Sequence, residues 1–281
     1  MNYSNKINNY VIGSDNIMKN FITILSPFYK DGFDENQYVT TSLFLSLHST
    51  SESILILLLH GALFDADVLL RTVMEGTIKY CYLMNGNDDE IHQKHIEYRD
   101  ILYDIDKISD HKKALETISI FNNFKITNST IPFEANILKD DELALLETKY
   151  SPKMRDKLKK RWNFRYLLKK LAEVNKEYEH LLGLISTYSL TSHLIHYDWI
   201  GSSMRQAQIN ESPVEENIVF DIAYAARILS NILTFYLFRT SEYTKHYNLH
   251  SNEINNLHLN TLNIIAELNK LNNDIVEKYA K

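Results

Sequence analysis

The chain has 281 residues, 44% hydrophobic and 23% charged, enough apolar material to bury a core without metal or disulfide and far from a disordered composition. One cysteine, Cys81, excludes a disulfide framework within the chain and fits a reducing, cytoplasmic setting. A net charge of -6 excludes a global field for nucleic acid, so any such contact would come from a local patch.

The opening MNYSNKINNYVIGSDN lacks a basic stretch followed by an apolar one and does not read as a secretion signal. Seven glycines and four prolines leave little material for strand turns, and apolar/polar alternation is rare. Both features predict an all-α multi-helix bundle. The first helix is expected from about Asp15 to Pro27, behind a Ser14/Asp15 cap signal. A second should run from about Thr40 to His60, where Gly61 permits a turn. The third, from about Ala62 to Met84, is apolar over most of its circumference and should be covered on several sides. Residues 40–84 thus predict a long central helical hairpin, packed against the helices of 180–247.

Asn87 and Glu90 have capping-box spacing and mark the next helix start. Residues 110–132 are weakly periodic, and shorter helices are expected around Asp140–Thr148 and Pro152–Val174. One more runs from about His180 to Trp199. Ser212 as cap, Pro213 at the first helical position and Glu215 then start a long helix to about Tyr247. The apolar stretches ILILLLHGALFDADVLL and ILSNILTFYLF are interrupted by His60, Asp65 and Asp67 or are too short for a bilayer, so no membrane partner is expected. The reading sets a helical domain over 1–250, with its core at 38–245, and a C-terminal helix over 251–281. That helix places Ile254, Leu257, Ile264, Leu268, Leu271 and Ile275 on a heptad seam, with Thr261 as its polar position. Such a seam serves either a homodimer or packing against its own bundle.

Three polar segments stand out. Residues 151–170, SPKMRDKLKKRWNFRYLLKK, carry nine Lys or Arg against one Asp with aromatics interleaved, which suits either a nucleic-acid patch or a solvated helix face. In the third helix, Asp67, Arg71, Glu75 and Lys79 recur at four-residue spacing. They form either a solvated stripe of ion pairs worth about 0.2–0.5 kcal/mol each, or a support for a partly buried Arg71. There Asp67 and Glu75 would keep the guanidinium charged while it presents its fork to a phosphate or carboxylate. The segment STYSLTSHLIHYDW aligns Tyr188, Ser192 and His196, with Ser189 and His193 beside them, and no charged residue occurs from Ser186 to Tyr197. It reads as a tightly packed core helix or as the wall of a polar pocket.

No metal or cofactor is expected. His92, His95, His246 and His250, with one Glu-x-x-His at Glu177 and His180, do not assemble a helical-bundle metal site. A nucleophile elbow of the Gly-x-Ser-x-Gly type is absent as well.

Leu69-Leu70-Arg71 with Glu75, followed by Tyr188, Ser192 and His196, resembles a large set of uncharacterised bacterial helical proteins, over roughly residues 38–245. Those proteins are similar to the HEPN-like superfamily, many of whose members are metal-independent ribonucleases of toxin–antitoxin and phage-defence systems. The resemblance implies an effector that binds RNA or a nucleotide, with an antitoxin or a second copy as partner. His196 would remove the 2′-hydroxyl proton and Arg71 would clamp the phosphate. Glu75 would orient Arg71, while Tyr188, Ser192 and His193 would bind the ligand. The superfamily's Arg-x4-6-His motif points to a second pair, Arg239 and His246, with Thr240 in the polar place after the arginine. The competing reading is a non-enzymatic helical scaffold or sensor that binds a small anionic ligand or a protein.

Overall fold

Scarce turn residues leave the backbone to satisfy its own N–H and C=O groups along helices. The computed structural model describes residues 3–26, 35–126, 130–196, 198–210 and 214–279, among which helices are the only regular structure. In chain order they are α1 (Tyr3–Leu25), α2 (Glu35–Leu59), α3 (Leu63–Met84), α4 (Asp88–Ile96), a π turn (Glu97–Ile101) and α5 (Leu102–Asn123). There follow α6 (Ile131–Glu134), α7 (Asp140–Lys149), α8 (Pro152–Arg161) and α9 (Phe164–Val174). A 3-10 turn (Lys176–Gly183), α10 (Leu184–His196), α11 (Trp199–Asn210), α12 (Val214–His246) and α13 (Asn252–Tyr279) complete the chain. The chain forms two compact units, residues 1–85 with 168–281, and residues 86–167.

In the first unit α3 is the central helix, packed by α2, α10 and α12. Leu63, Ala66, Leu70, Val73, Met74, Ile78 and Cys81 are all buried, a wider arc than one neighbour could cover. The hairpin turn forms where Gly61 takes φ +71°, a left-handed conformation that glycine adopts without strain. At Gly76 α2 and α3 lie so close that a Cβ would stand 2.4 Å from Leu47 Cδ2.

Helix α1 begins well before the expected cap. Ser14 is buried within the helix, and Ile7, Val11, Met18, Phe21 and Leu25 complete its apolar stripe, so packing overrides the local cap signal. Ser212 and Pro213, the expected start of α12, lie outside the described residues. The seam of α13 is used inside the unit: Ile254, Leu257, Leu268 and Ile275 are buried, and α13 packs on α12 and α1. Thr261, the polar position, is tolerated there because its hydroxyl donates to the Leu257 carbonyl at 2.7 Å. The helix set apart at 251–281 is thus a member of the first unit.

Helix α2 and residues 217–246 of α12 are long and apolar enough to cross a bilayer, longer than the apolar stretches in the sequence suggested. The α12 segment is 56% buried by its neighbours, as a core helix would be, and α2 is 33% buried.

A buried polar cluster ties α12 to α3. Arg239 is fully buried, donates from Nη1 to Thr77 Oγ1 at 2.8 Å, and lies over the rings of Tyr236 at 4.9 Å and Phe44 at 5.6 Å. Burial raises the pKa of the nearby Glu242 carboxyl and pushes the Cys81 thiol far up, so Cys81 is inert.

The second unit packs α6, α7 and α8 on α5 around Ile105, Ile108, Leu146, Tyr150 and Leu158. Its first helix starts with the expected capping box. Asn87 Oδ1 accepts the Glu90 N–H at 3.0 Å, and Glu90 Oε2 accepts the Asn87 N–H at 3.1 Å. The weakly periodic stretch is helical to Asn123, with His111 and Ala114 buried on one side. The helix expected over 152–174 is two, broken at Trp162 and Asn163. Trp162 turns inward there, and its indole N–H donates to Glu97 Oε2 at 3.2 Å.

Candidate functional site

Residues four apart on a helix are about 40° apart around its axis, so the row Asp67, Arg71, Glu75, Lys79 winds around α3 rather than running straight. Each member therefore meets a different neighbour. Asp67, 3% exposed, faces α12, where its Oδ2 accepts from the Tyr224 hydroxyl at 2.7 Å and Arg227 Nη2 at 3.0 Å. Burial, then the Asp67 charge, raises the Tyr224 pKa strongly, so the phenol stays protonated and donates. Glu75 faces α10 and accepts from the Tyr188 hydroxyl at 3.3 Å and from Lys79 at 3.0 Å.

Arg71 sits half-buried between these two carboxylates, with its guanidinium 3.8 Å above the Tyr188 ring centroid. It makes no ion pair, and its buried Nη1 has no hydrogen-bond partner, among the described residues. Both sequence readings of the row therefore need correction. It is not a solvated stripe, and neither carboxylate pairs with Arg71: Asp67 Oδ2 is taken by Tyr224 and Arg227, and the Glu75 oxygens by Lys79 and Tyr188.

The same winding separates the residues of α10. His196 lies eight positions after Tyr188, about 80° around the helix and ~12 Å along it. It is exposed and has no hydrogen bond, ion pair or ring contact among the described residues. Ser192 is half-buried between the two. His193 faces another way, toward the start of α11, and its Nδ1 lies 2.6 Å from Asp198 Oδ2. Asp198 Oδ1 accepts the Gly201 N–H at 3.0 Å, which caps α11, and the His193 hydrogen bond followed by this cap lowers the carboxyl pKa. Gly201 is required at this turn, since a Cβ would come 2.2 Å from the His193 carbonyl oxygen.

The structure thus brings Arg71, Glu75 and Tyr188 together and leaves His196 apart from them. The second pair is also divided: Arg239 is in the core, whereas His246 is exposed against the Tyr247 ring at 4.6 Å.

Sequence reasoning missed a cleft in this unit. Beside the Asp67 end of the row a cleft of about 480 Å³ opens between five helices. Phe64 and Asp67 of α3, Thr187, Leu190 and Leu194 of α10, and Met204 of α11 line one part. Phe220, Asp221, Ala223, Tyr224 and Arg227 of α12, with Asn272 and Val276 of α13, line the rest. Most of the lining is apolar, and Asp67, Tyr224 and Arg227 gather into one polar wall. The Arg227 guanidinium lies 4.6 Å from the Tyr224 ring centroid, and Phe64 meets that ring edge-on with centroids 5.8 Å apart. A signal was available: Tyr224 and Arg227 are three residues apart, hence on one face, within the mostly apolar stretch Ile222–Leu229. Among the described residues no group of three or more His, Cys, Asp or Glu side chains could hold a metal ion.

The sequence profile of a family of unknown function, DUF5677, matches residues 37–211, which run from α2 through α11. No curated protein and no solved structure matches the chain.

Proposed function

The chain belongs to that family of unknown function, and from the cleft we propose that it is a non-catalytic binding module for a small, largely apolar molecule with one polar end. The observation that carries this reading is the cleft's composition, about 480 Å³ of mostly apolar lining with one assembled polar wall. That size is in the range of small-molecule sites, and such sites combine apolar walls with a few fixed polar groups.

The wall also indicates the ligand's polar end. Arg227 uses one N–H on Asp67 and its side chain is 30% exposed, so further donors of the guanidinium face the cleft. Asp67 and the Tyr224 ring hold the guanidinium in place, which reduces the ordering cost of binding. A carbonyl or carboxylate oxygen is the matching group, in line with the small anionic ligand of the non-enzymatic sequence reading.

The ribonuclease reading needs its base, His196, beside the phosphate clamp Arg71. The exposed position of His196, away from the Arg71–Tyr188 stack, therefore supports binding over catalysis. Titration calorimetry with 1-anilinonaphthalene-8-sulfonate, an apolar anion, tests the proposal. Binding at one site is expected, weakened by Arg227→Met and removed by Leu194→Trp, which fills the cleft. Equal binding to wild type and Leu194→Trp would sink the cleft reading. Toxicity on overproduction that Arg71→Ala and His196→Ala both relieve would favour the ribonuclease reading.

A further inference from the structure

Helix α8 carries the densest part of the basic stretch, and its residues divide by angle into three groups. Leu158 points into the core of the second unit, 6% exposed. Lys159 and Arg161, about 100° and 60° around the helix from Leu158 on its two sides, reach acidic residues of the same unit. Lys159 lies 3.6 Å from Asp106, and Arg161 pairs with Glu97. Lys153 and Lys160 occupy the outward face and Lys157 flanks it on the side opposite Lys159, all three exposed and with no ion pair among the described residues. Asp156, the one acid on that helix, is exposed on the same face, three residues after Lys153 and four before Lys160, so the face carries three lysines against one aspartate.

We infer that the outward face of α8 docks the phosphate backbone of single-stranded nucleic acid. The chain as a whole is acidic at -6, so attraction for a polyanion has to come from a local excess of lysine such as this face. The row is a local field, strongest where the lysines are closest. Spacings of four and three residues place successive lysines about 6 and 4.5 Å apart along the axis, a scale on which neighbouring phosphates of one strand can be met together.

Other anionic partners fit less well. A membrane-binding basic helix inserts its apolar side into lipid, but the apolar side here, Leu158 with Trp162 and Phe164, is buried within the protein. A protein partner needs a desolvated centre to its interface, and Met154, at 40% exposure, is the one large apolar residue exposed on α8. This inference is independent of the cleft in the first unit.

The test is fluorescence anisotropy of the full chain with labelled 15-nucleotide oligouridylate and oligothymidylate across potassium chloride concentrations. Three phosphate contacts predict a slope of log affinity against log salt of about -2. The triple variant Lys153→Gln/Lys157→Gln/Lys160→Gln should bind at least about tenfold more weakly at low salt with a flatter slope. Lys112→Gln/Lys113→Gln, whose lysines are engaged by Glu147 and Asp110, should bind like wild type. Loss of affinity confined to the α8 variant, with either oligomer, supports the inference. Absence of binding to both oligomers, or equal binding by the α8 triple variant, overturns it. Phosphatidylserine vesicles that bind through these lysines while neither oligomer does would assign the face to membrane and overturn it too.

Discussion

Helices α3 and α8 both carry charged residues at helical spacing, but α3 alternates acid and base while the exposed side of α8 carries three lysines against one aspartate. In α3 the alternation lets the row be absorbed. Asp67 pairs with α12, Glu75 with α10, and Arg71 lies on an aromatic ring. In α8 the excess of lysine has no such option, because burying several like charges without enough partners costs far more than leaving them in water. The comparison teaches that the sign pattern of a charged row, more than its spacing, decides whether neighbouring helices can cover it.

Asp67→Ala should produce the largest effect, a loss of about 3 kcal/mol in urea unfolding, because it strands Arg227 and Tyr224 in a partly buried wall. A loss under about 0.5 kcal/mol, the usual surface value, would mean that the α3 row is solvated after all. Gly76→Ala comes next, at about 2 kcal/mol, since the new methyl meets Leu47 at 2.4 Å and Leu47 is itself buried. Leu47→Ala in the same chain should recover part of that loss, and simple additivity of the two would disprove the contact. Arg71→Ala should cost about 1 kcal/mol through the lost ring contact. Arg71→Lys should recover little of it, because the planar guanidinium does the stacking; full recovery in thermal unfolding would show that charge alone matters. Smallest of all, Lys157→Gln should shift stability by less than about 0.5 kcal/mol, and a larger loss would place α8's exposed side inside a packed contact.

Much of the architecture was readable because periodicity and turn chemistry agreed with packing. The α2–α3 hairpin ends at Gly61, α4 starts at the Asn87 capping box, and α13 hides its heptad seam. Ser14 misled because a cap signal is local, whereas the stripe from Ile7 to Leu25 is satisfied only by continuing the helix through it. At the site, Arg71, Glu75 and Tyr188 could be grouped from their motifs. His196 could not be placed, since repeated four-residue steps drift around a helix and two of them turn the imidazole away. The cleft was less accessible still, as its lining comes from five helices that are distant in sequence.

The family match ends at residue 211. Phe64, Asp67, Thr187, Leu190, Leu194 and Met204 lie inside it, while Tyr224, Arg227, Asn272 and Val276 lie beyond it. The cleft therefore draws part of its lining from the matched segment and part from helices outside it. Relatives with the same α3 and α10 but other α12 and α13 sequences would inherit the apolar floor and replace the residues that select a ligand. A chimera with α12 and α13 taken from such a relative should then exchange ligand preference while keeping the fold of the shared helices.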